Sequence, residues 1–227
     1  MSGVGKMTGF LSRLAPRRAA EDQPEPPPPL AVPDLVVPTK ALKKFTASLK
    51  SRPSPTLLDL GPVVGANIAY FGEQLGCKIF IEDVFGDLDR FQREHRQAEL
   101  AAFLDTRFPQ DAGSVDGILC WDLFDFLDKS SARVVAGHLM RVLRPNGALF
   151  GFFSTAQPAE ARFTKFIVAD DGHLRHRAYA SPRMRQAVMQ NRDIIKLFER
   201  LRVSDSFLLH TKVREILFRK PDYLPNP

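Results

Sequence analysis

Strand-like and helix-like patterns alternate between residues 56 and 153, and this alternation restricts the possible folds more than any other feature of the sequence. Short runs such as "PTLLDLG" and "CKIFIED" are apolar throughout, as expected for strands that helices cover on both faces. The segments between them carry apolar residues at helical spacing. Before the first strand, "TKALKKFTASLK" places Leu42, Phe45 and Leu49 on one helical face, with Thr39 as the predicted cap. This order favours a parallel sheet with right-handed crossovers, so the predicted fold class is α/β, a three-layer αβα sandwich with a mostly parallel sheet.

The C-terminal third of the chain has a different pattern. The segment "RFTKFIVADDGHLRHRAY" predicts a β-hairpin that turns at Asp170 to Gly172, and a helix is predicted within "RMRQAVMQNRDIIKLFERL". The runs "VSDSFLLH" and "VREILFRK" are close enough in sequence to pair antiparallel. Nearer the middle of the chain, "LAAFLD" fits either a helix or a short third strand, and both interpretations stay open.

The ends of the chain differ in composition from the predicted domain, which spans residues 39–220. Residues 1–38 form a basic and proline-rich extension that holds an amphipathic segment, and we expect it to be flexible and to contact a partner or a membrane surface. Residues 221–227 form a short tail. No apolar run approaches the roughly 18 residues of a membrane-spanning helix. Because no secretory signal pattern is found at the N-terminus, we expect a cytoplasmic location.

Composition excludes several functional classes. The charge balance, 32 Lys and Arg against 26 Asp and Glu, favours anionic partners only weakly. Nucleic acid is therefore possible as a partner but not favoured by charge alone. Cys77 and Cys120 belong to no CxxC pair, so neither a disulfide framework nor a metal site is predicted, and both are expected to be buried.

The stretch "LDLGPVVG" contains the first residues that suggest chemistry. Asp59 ends a predicted strand, and Gly61 and Gly65 bracket the turn into the next helix. Glycines allow a backbone to approach a bound nucleoside, although a tight strand-to-helix turn needs them equally. Glu82 follows the next strand, 17 residues after Gly65 (82 − 65), near the spacing of about 20 at which an acid binds ribose hydroxyls.

In the order of these segments, ending with "LRPNGALF" and a two-strand hairpin, the chain resembles the class I S-adenosylmethionine-dependent methyltransferases over roughly residues 39–220. The resemblance implies a seven-stranded sheet, order 3-2-1-4-5-7-6, with an antiparallel last strand. It also implies S-adenosylmethionine as cofactor. Asp59, Gly61 and Gly65 match the family's glycine-rich motif, whereas Val63 stands at its middle glycine and Val64 at a variable position.

The same resemblance assigns further residues to the cofactor site. Glu82 corresponds to the ribose-binding acid, Asp105 to an adenine contact, and Trp121 and Asp122 to the border of the cofactor. The remainder of "CWDLFDFL" fits either the substrate side or core packing. Catalytic residues are not identified: the candidates for a base, which are expected to be mainly structural, are His138, His173, His176 and Tyr179.

Three functions remain open. The first is a S-adenosylmethionine-dependent methyltransferase acting on a small molecule or, as a further alternative, on RNA or protein. The second is a non-catalytic methyltransferase-like binding protein whose cofactor loop has degenerated, because the methyl groups of Val63 could intrude on the cofactor. The third, a nicotinamide-dependent oxidoreductase, is disfavoured because the glycines are spaced G-x-x-x-G instead of G-x-G-x-x-G.

Overall fold

The structure is a computed structural model, and it describes residues 33–156, 162–180 and 188–222. Its strands are β1 (Leu35–Pro38), β2 (Thr56–Asp59), β3 (Lys78–Ile81), β4 (Val115–Trp121), β5 (Leu143–Ser154), β6 (Arg162–Asp170), β7 (His173–Ala180), β8 (Arg202–Leu208) and β9 (Val213–Arg219). Its α-helices are α1 (Lys40–Lys50), α2 (Gly65–Ile68), α3 (Val84–Arg93), α4 (Leu100–Asp105), α5 (Lys129–Val142) and α6 (Asn191–Leu197). A π-helical turn, Ala69–Gln74, continues α2.

A mostly parallel sheet forms the centre of the fold. Within the described residues it has six strands in the order β3-β2-β4-β5-β9-β8. Neighbouring strands from β3 to β5 are parallel, whereas β9 runs antiparallel to both β5 and β8. The predicted α/β class and the antiparallel pairing of the last two strands are therefore confirmed.

The segment that fitted either a helix or a third strand is a helix. The segment "LAAFLD" forms α4, in which Leu100 and Leu104, four residues apart, are both buried. This spacing places both leucines on one helical face, where they join the core beside α3 and α5. As a result, the expectation of seven strands is not met in the described part of the chain, whose sheet ends at β3.

A second, three-stranded antiparallel sheet has the order β1-β7-β6. Strands β6 and β7 form the predicted hairpin, with its turn at Asp171 and Gly172. Strand β1 comes from residues that we had assigned to the N-terminal extension, so part of that segment belongs to the folded domain. Residues 1–32 of that extension and residues 223–227 of the tail lie outside the described residues.

Helix α1 is fixed to the central sheet at its first turn. Thr39 caps it as predicted: its hydroxyl oxygen accepts a hydrogen bond from the N–H of Leu42 at 3.2 Å. The Thr39 hydroxyl itself donates to Glu215 Oε2 of β9 at 2.5 Å, and the Lys40 N–H donates to Glu215 Oε1 at 3.0 Å. The fully buried Glu215 carboxylate thus binds the positive end of the helix dipole, which orients α1 along the sheet.

The predicted C-terminal helix is shorter than its apolar pattern suggested. Helix α6 begins at Asn191, while Met184, at the start of the predicted helix, lies outside the described residues. Cys77 and Cys120 are buried and unpaired, as expected. None of the helices in the described ranges has the length and apolar character needed to cross a membrane.

Candidate cofactor site

The predicted cofactor residues, except Asp105, lie near the carboxyl ends of β2, β3 and β4. Because β2 and β4 are adjacent, Asp59 at the end of β2 lies beside Trp121 at the end of β4. Asp59 is only 5% exposed, and its Oδ1 accepts hydrogen bonds from the Gly61 N–H at 2.9 Å and from the Trp121 indole Nε1–H at 2.7 Å. Burial raises the pKa of Asp59 to about 6, although both hydrogen bonds act in the opposite direction.

The indole of Trp121 lies directly over Gly61. A Cβ atom at Gly61 would be 2.6 Å from Trp121 Cδ1 and 2.8 Å from Nε1, so only glycine is compatible with this position of the ring. On its other side the indole stacks on Phe166 of β6, with ring centroids 5.4 Å apart and planes 5° from parallel. In this structure the glycine of the motif therefore makes room for the protein's own tryptophan.

The rest of the loop shows which of its two valines faces the cleft. Val63, whose direction the sequence left open, is 63% exposed, whereas Val64, assigned to a variable position, lines the cleft. The turn thus directs the two side chains differently. Gly65 begins α2, and a Cβ atom there would have no neighbour within 4 Å.

Glu82 lies at the end of β3, as predicted, but it is engaged by two side chains that the motif did not indicate. The Gln110 amide donates to Glu82 Oε1 at 2.7 Å, and the Arg107 guanidinium donates to Oε2. Arg107 also donates to Asp87 of α3 through Nε at 2.9 Å. Both carboxylate oxygens that would accept from ribose hydroxyls thus already accept from the segment that follows α4.

Asp105 is not brought to the cleft. It ends a helix instead of a strand, and its side chain is 70% exposed and lies 3.1 Å from Nε2 of His138 on α5. The adenine contact assigned to Asp105 depended on a third strand at this place, and the chain forms α4 there instead. Asp122, in contrast, is buried and lines the cleft as expected. Phe124 and Phe126 are buried in the core, which favours packing over substrate contact.

The three-stranded sheet covers the cleft. The Asn67 amide, near the start of α2, donates to the carbonyl of Phe166 at 2.9 Å and accepts from the Val168 N–H at 2.8 Å. These two bonds fix β6 over the carboxyl edge of the central sheet. Between the loop, Phe85 and Thr164, the remaining cavity has a volume of only about 10 Å³.

Solved structures provide the comparison for this arrangement. The chain is similar to S-adenosylmethionine-dependent methyltransferases. One is the 1,6-didemethyltoxoflavin-N1-methyltransferase of Burkholderia thailandensis with S-adenosylhomocysteine bound; identity is 18%, coverage is 80% of this chain and 79% of that one, and the TM-score is 0.44. Others are enzymes from Aquifex aeolicus (14% identity, 78% and 88% coverage, TM-score 0.44) and Clostridium acetobutylicum (13%, 79% and 92%, TM-score 0.44).

These methyltransferases belong to the family that the resemblance in sequence implied. They also use the cofactor that it implied. No protein-family model and no curated protein sequence matches the chain. At identities of 13 to 18% the similarity concerns the fold alone. The cofactor, the substrate and the activity of this protein must therefore be inferred from its own residues.

The cleft of this chain does not fit S-adenosylmethionine in the conformation described. Small-molecule pockets usually have volumes of roughly 300 Å³ or more, against about 10 Å³ here. The indole occupies the space above Gly61, and the ribose-binding acid is already paired. None of the four candidate bases, all of them described residues, lines the cleft. His138 contacts Asp105, His173 contacts Asp170, and Tyr179 packs against Phe163. His176 packs against the rings of Phe152 and Phe166.

Proposed function

We propose that this chain is a methyltransferase-fold protein that acts by binding and not by methyl transfer, because its own side chains fill the cofactor cleft. The observation that carries the proposal is the indole of Trp121, which lies over Gly61, donates to Asp59 and stacks on Phe166. This corresponds to the second of the functions that the sequence left open, with a different residue as the cause.

The energetic cost of opening the cleft supports the proposal. A cofactor would have to displace a buried tryptophan, and truncation of such residues indicates that their packing is worth about 3–5 kcal/mol. Cofactor binding would also break the two hydrogen bonds between the Asn67 amide and β6, and it would separate Glu82 from Arg107. A cost of about 4 kcal/mol alone weakens binding roughly a thousandfold, which turns a micromolar affinity into a millimolar one.

A second candidate is the S-adenosylmethionine-dependent methyltransferase acting on a small molecule. It is favoured by the position of Val63, which leaves the cleft free of the side chain that appeared most damaging in the sequence. It is also favoured by the meeting of Asp59, Gly61 and Glu82 at one edge of the sheet. For this function, Trp121 and β6 would have to move before the cofactor binds.

Calorimetric titration with S-adenosylhomocysteine separates the two candidates. We expect no saturable binding to the unmodified protein up to millimolar concentrations, and no S-adenosylhomocysteine in mass spectra of the protein as purified. Micromolar binding that is lost in Glu82→Ala and kept in Glu73→Ala, an exposed acid outside the cleft, would instead establish the methyltransferase and overturn our proposal.

A further inference from the structure

An open groove lies at the amino-terminal edge of the parallel strands, opposite the filled cleft. It runs between the last turns of α1 and the paired strands β8 and β9, and its volume is about 590 Å³. Small-molecule pockets typically have volumes of about 300–1,000 Å³. The strand wall contains a bulge: Val203 pairs with Phe218 and Asp205 with Leu217, so that the intervening Ser204 also lines the groove.

Two arginines that line the groove have donor groups to spare. Arg52 uses Nη1 to contact Asp116 Oδ1 at 3.2 Å. Arg219, at the end of β9, is partly buried, and within the described ranges it forms no side-chain hydrogen bond and no ion pair shorter than 4.0 Å. Burial lowers the pKa of Arg219, the positive charge of Arg52 lowers it further, and Asp205 acts against both. Arg219 is therefore not directly paired with an anion in the described residues, and Arg52 shares its only partner, Asp116 Oδ1, with Arg144.

The remaining charges leave the groove positive. Lys44 of α1 forms an ion pair with Asp205 of β8, and this contact lowers the pKa of Asp205. The lining thus has three cationic side chains, Lys44, Arg52 and Arg219, against one carboxylate. The carboxyl end of α1 adds partial negative charge, but its carbonyls at Ala47 and Leu49 accept backbone hydrogen bonds within the chain.

We propose that this groove binds a phosphate-bearing small molecule whose phosphoryl oxygens are contacted by Arg52 and Arg219. A guanidinium group presents several fixed N–H donors that match phosphate oxygens, and two such groups held near each other repel until an anion lies between them. The size of the groove leaves room for an organic part beside Ala47 and Asn146. This inference goes beyond the proposed function and does not depend on it, because the two sites lie at opposite edges of the sheet.

Titration calorimetry with sodium pyrophosphate and with ADP, at low ionic strength, tests the proposal. Sodium chloride at equal ionic strength is the reference. We expect saturable binding of at least one of the two compounds, and loss of a charged donor in Arg219→Gln should weaken it about tenfold or more. Arg214→Gln is the matched control: it lies on the same strand, has the same charge change and does not line the groove.

A second pair of variants leaves every native contact of the cations in place. Ala47→Glu introduces a carboxylate at an exposed position of α1 that lines the groove, and we expect it to weaken binding as strongly as Arg219→Gln. Ala102→Glu makes the same change at an exposed position of α4 and should bind like the unmodified protein. Tighter binding of ADP than of pyrophosphate would support an organic part in the groove, and equal binding would support recognition of the phosphoryl groups alone.

Three results would overturn the proposal. The first is heat no different from that of sodium chloride for both compounds. The second is binding that persists unchanged in both Arg219→Gln and Ala47→Glu. The third is binding in the same titration of single-stranded RNA but not of pyrophosphate or ADP. S-adenosylhomocysteine binding at the opposite edge would overturn the proposed function but would leave this inference intact.

Discussion

The two edges of the central sheet differ in how much space their polar and charged side chains leave open. At the carboxyl edge, Asp59, Gly61 and Glu82 are all in contact with other parts of the chain, and a cavity of about 10 Å³ remains. At the amino edge, Arg52 and Arg219 line an open groove of about 590 Å³. Ligands of open α/β sheets usually bind at the carboxyl edge, so binding at the amino edge, as we propose, would depart from that rule.

A glycine of a cofactor-binding motif can serve the packing of the protein's own side chains. Gly61 is compatible with a cofactor, but in this structure its lack of a Cβ atom serves the indole of Trp121. The second sheet makes this possible, since β6 provides Phe166 as the opposite wall and Asn67 holds it there. Nothing comparable covers the amino edge in the described part of the chain, so its cations remain accessible.

Removal of the indole should have the largest effect on stability. We expect Trp121→Ala to lower the free energy of unfolding by about 3–5 kcal/mol, because it leaves a cavity between Gly61 and Phe166 and deprives Asp59 of a donor. Urea denaturation measures this change. Trp121→Phe is the control, which should lose less since the ring packing is partly kept. A loss below about 1 kcal/mol for Trp121→Ala would mean that the closed edge is not tightly packed.

The second sheet should become less stable in acid. Burial lowers the pKa of His176 of β7 from 6.5 to about 4, and its Nε2 has no hydrogen-bond partner among the described residues. As the pH falls, the unfolded chain therefore binds a proton at His176 before the folded protein does. The contribution of neutral His176 to the free energy of unfolding is present above pH 6.5 and is lost as the pH falls through 4. The loss amounts to about 3 kcal/mol.

Denaturation of His176→Leu at several pH values tests this prediction. The difference in unfolding free energy between the unmodified protein and the variant should decrease as the pH falls from 6.5 to 4. A matched control is His173→Leu, because His173 is exposed on the same hairpin. Parallel pH curves for the unmodified protein and His176→Leu would show that His176 is not buried as a neutral side chain.

Asp59 should change the pH dependence of the unfolding free energy in the opposite direction. Its pKa is raised from 3.8 to about 6 by burial, so the folded protein binds this proton first. The neutral carboxyl is favourable at low pH, and stability is lost as the pH rises from 3.8 through 6, by about 3 kcal/mol. Because His176 and Asp59 titrate in opposite directions over the same range, the unmodified protein should show a flatter pH profile than either single variant.

Comparison of Asp59→Asn with the unmodified protein isolates the carboxyl. The amide can accept the same hydrogen bonds but does not titrate, so the variant should gain stability relative to the unmodified protein between pH 4 and 7. A constant difference over that range would contradict the burial of Asp59 beside Trp121. Glu73→Gln, an exposed change of the same kind, should follow the unmodified protein throughout.

A substitution at the amino edge should have the smallest effect on stability. Ala47→Glu changes an exposed helical position, so we expect the free energy of unfolding to change by no more than about 0.5 kcal/mol. The same urea series measures it, with Ala102→Glu as the control. A large loss would indicate that the groove is part of the packed structure, and the contrast between a filled edge and an accessible edge would then fail.

Much of the fold could be predicted because local patterns carry it. The helical spacing of Leu42, Phe45 and Leu49 gave α1 with Thr39 as its cap, and the paired runs near the C-terminus gave β8 and β9. The third strand could not be decided locally, since a six-residue apolar segment fits either a helix or a strand. Its position between α3 and α5, where Leu100 and Leu104 are buried, decided for the helix.

The site could be predicted only in part. Spacing placed Asp59, Gly61 and Glu82 at one edge, because parallel strands bring their carboxyl ends together. Spacing did not reveal Arg107 and Gln110 as partners of Glu82, since they lie 25 and 28 residues away and belong to no motif. Spacing also did not show that Val64, and not Val63, faces the cleft, because the direction of these side chains depends on the path of the turn.

The α/β class, the antiparallel strands at the end and the place of the glycine loop follow from the sequence alone, because they depend on periodicity and turn chemistry between near neighbours. The position of Trp121 above Gly61, 60 positions away in the chain (121 − 61), depends on how the strands are arranged in the sheet. The same is true of Arg52 and Arg219, which line one open groove although they are far apart in the chain. Contacts between residues so far apart in the chain depend on how the layers pack, and no local pattern encodes that packing.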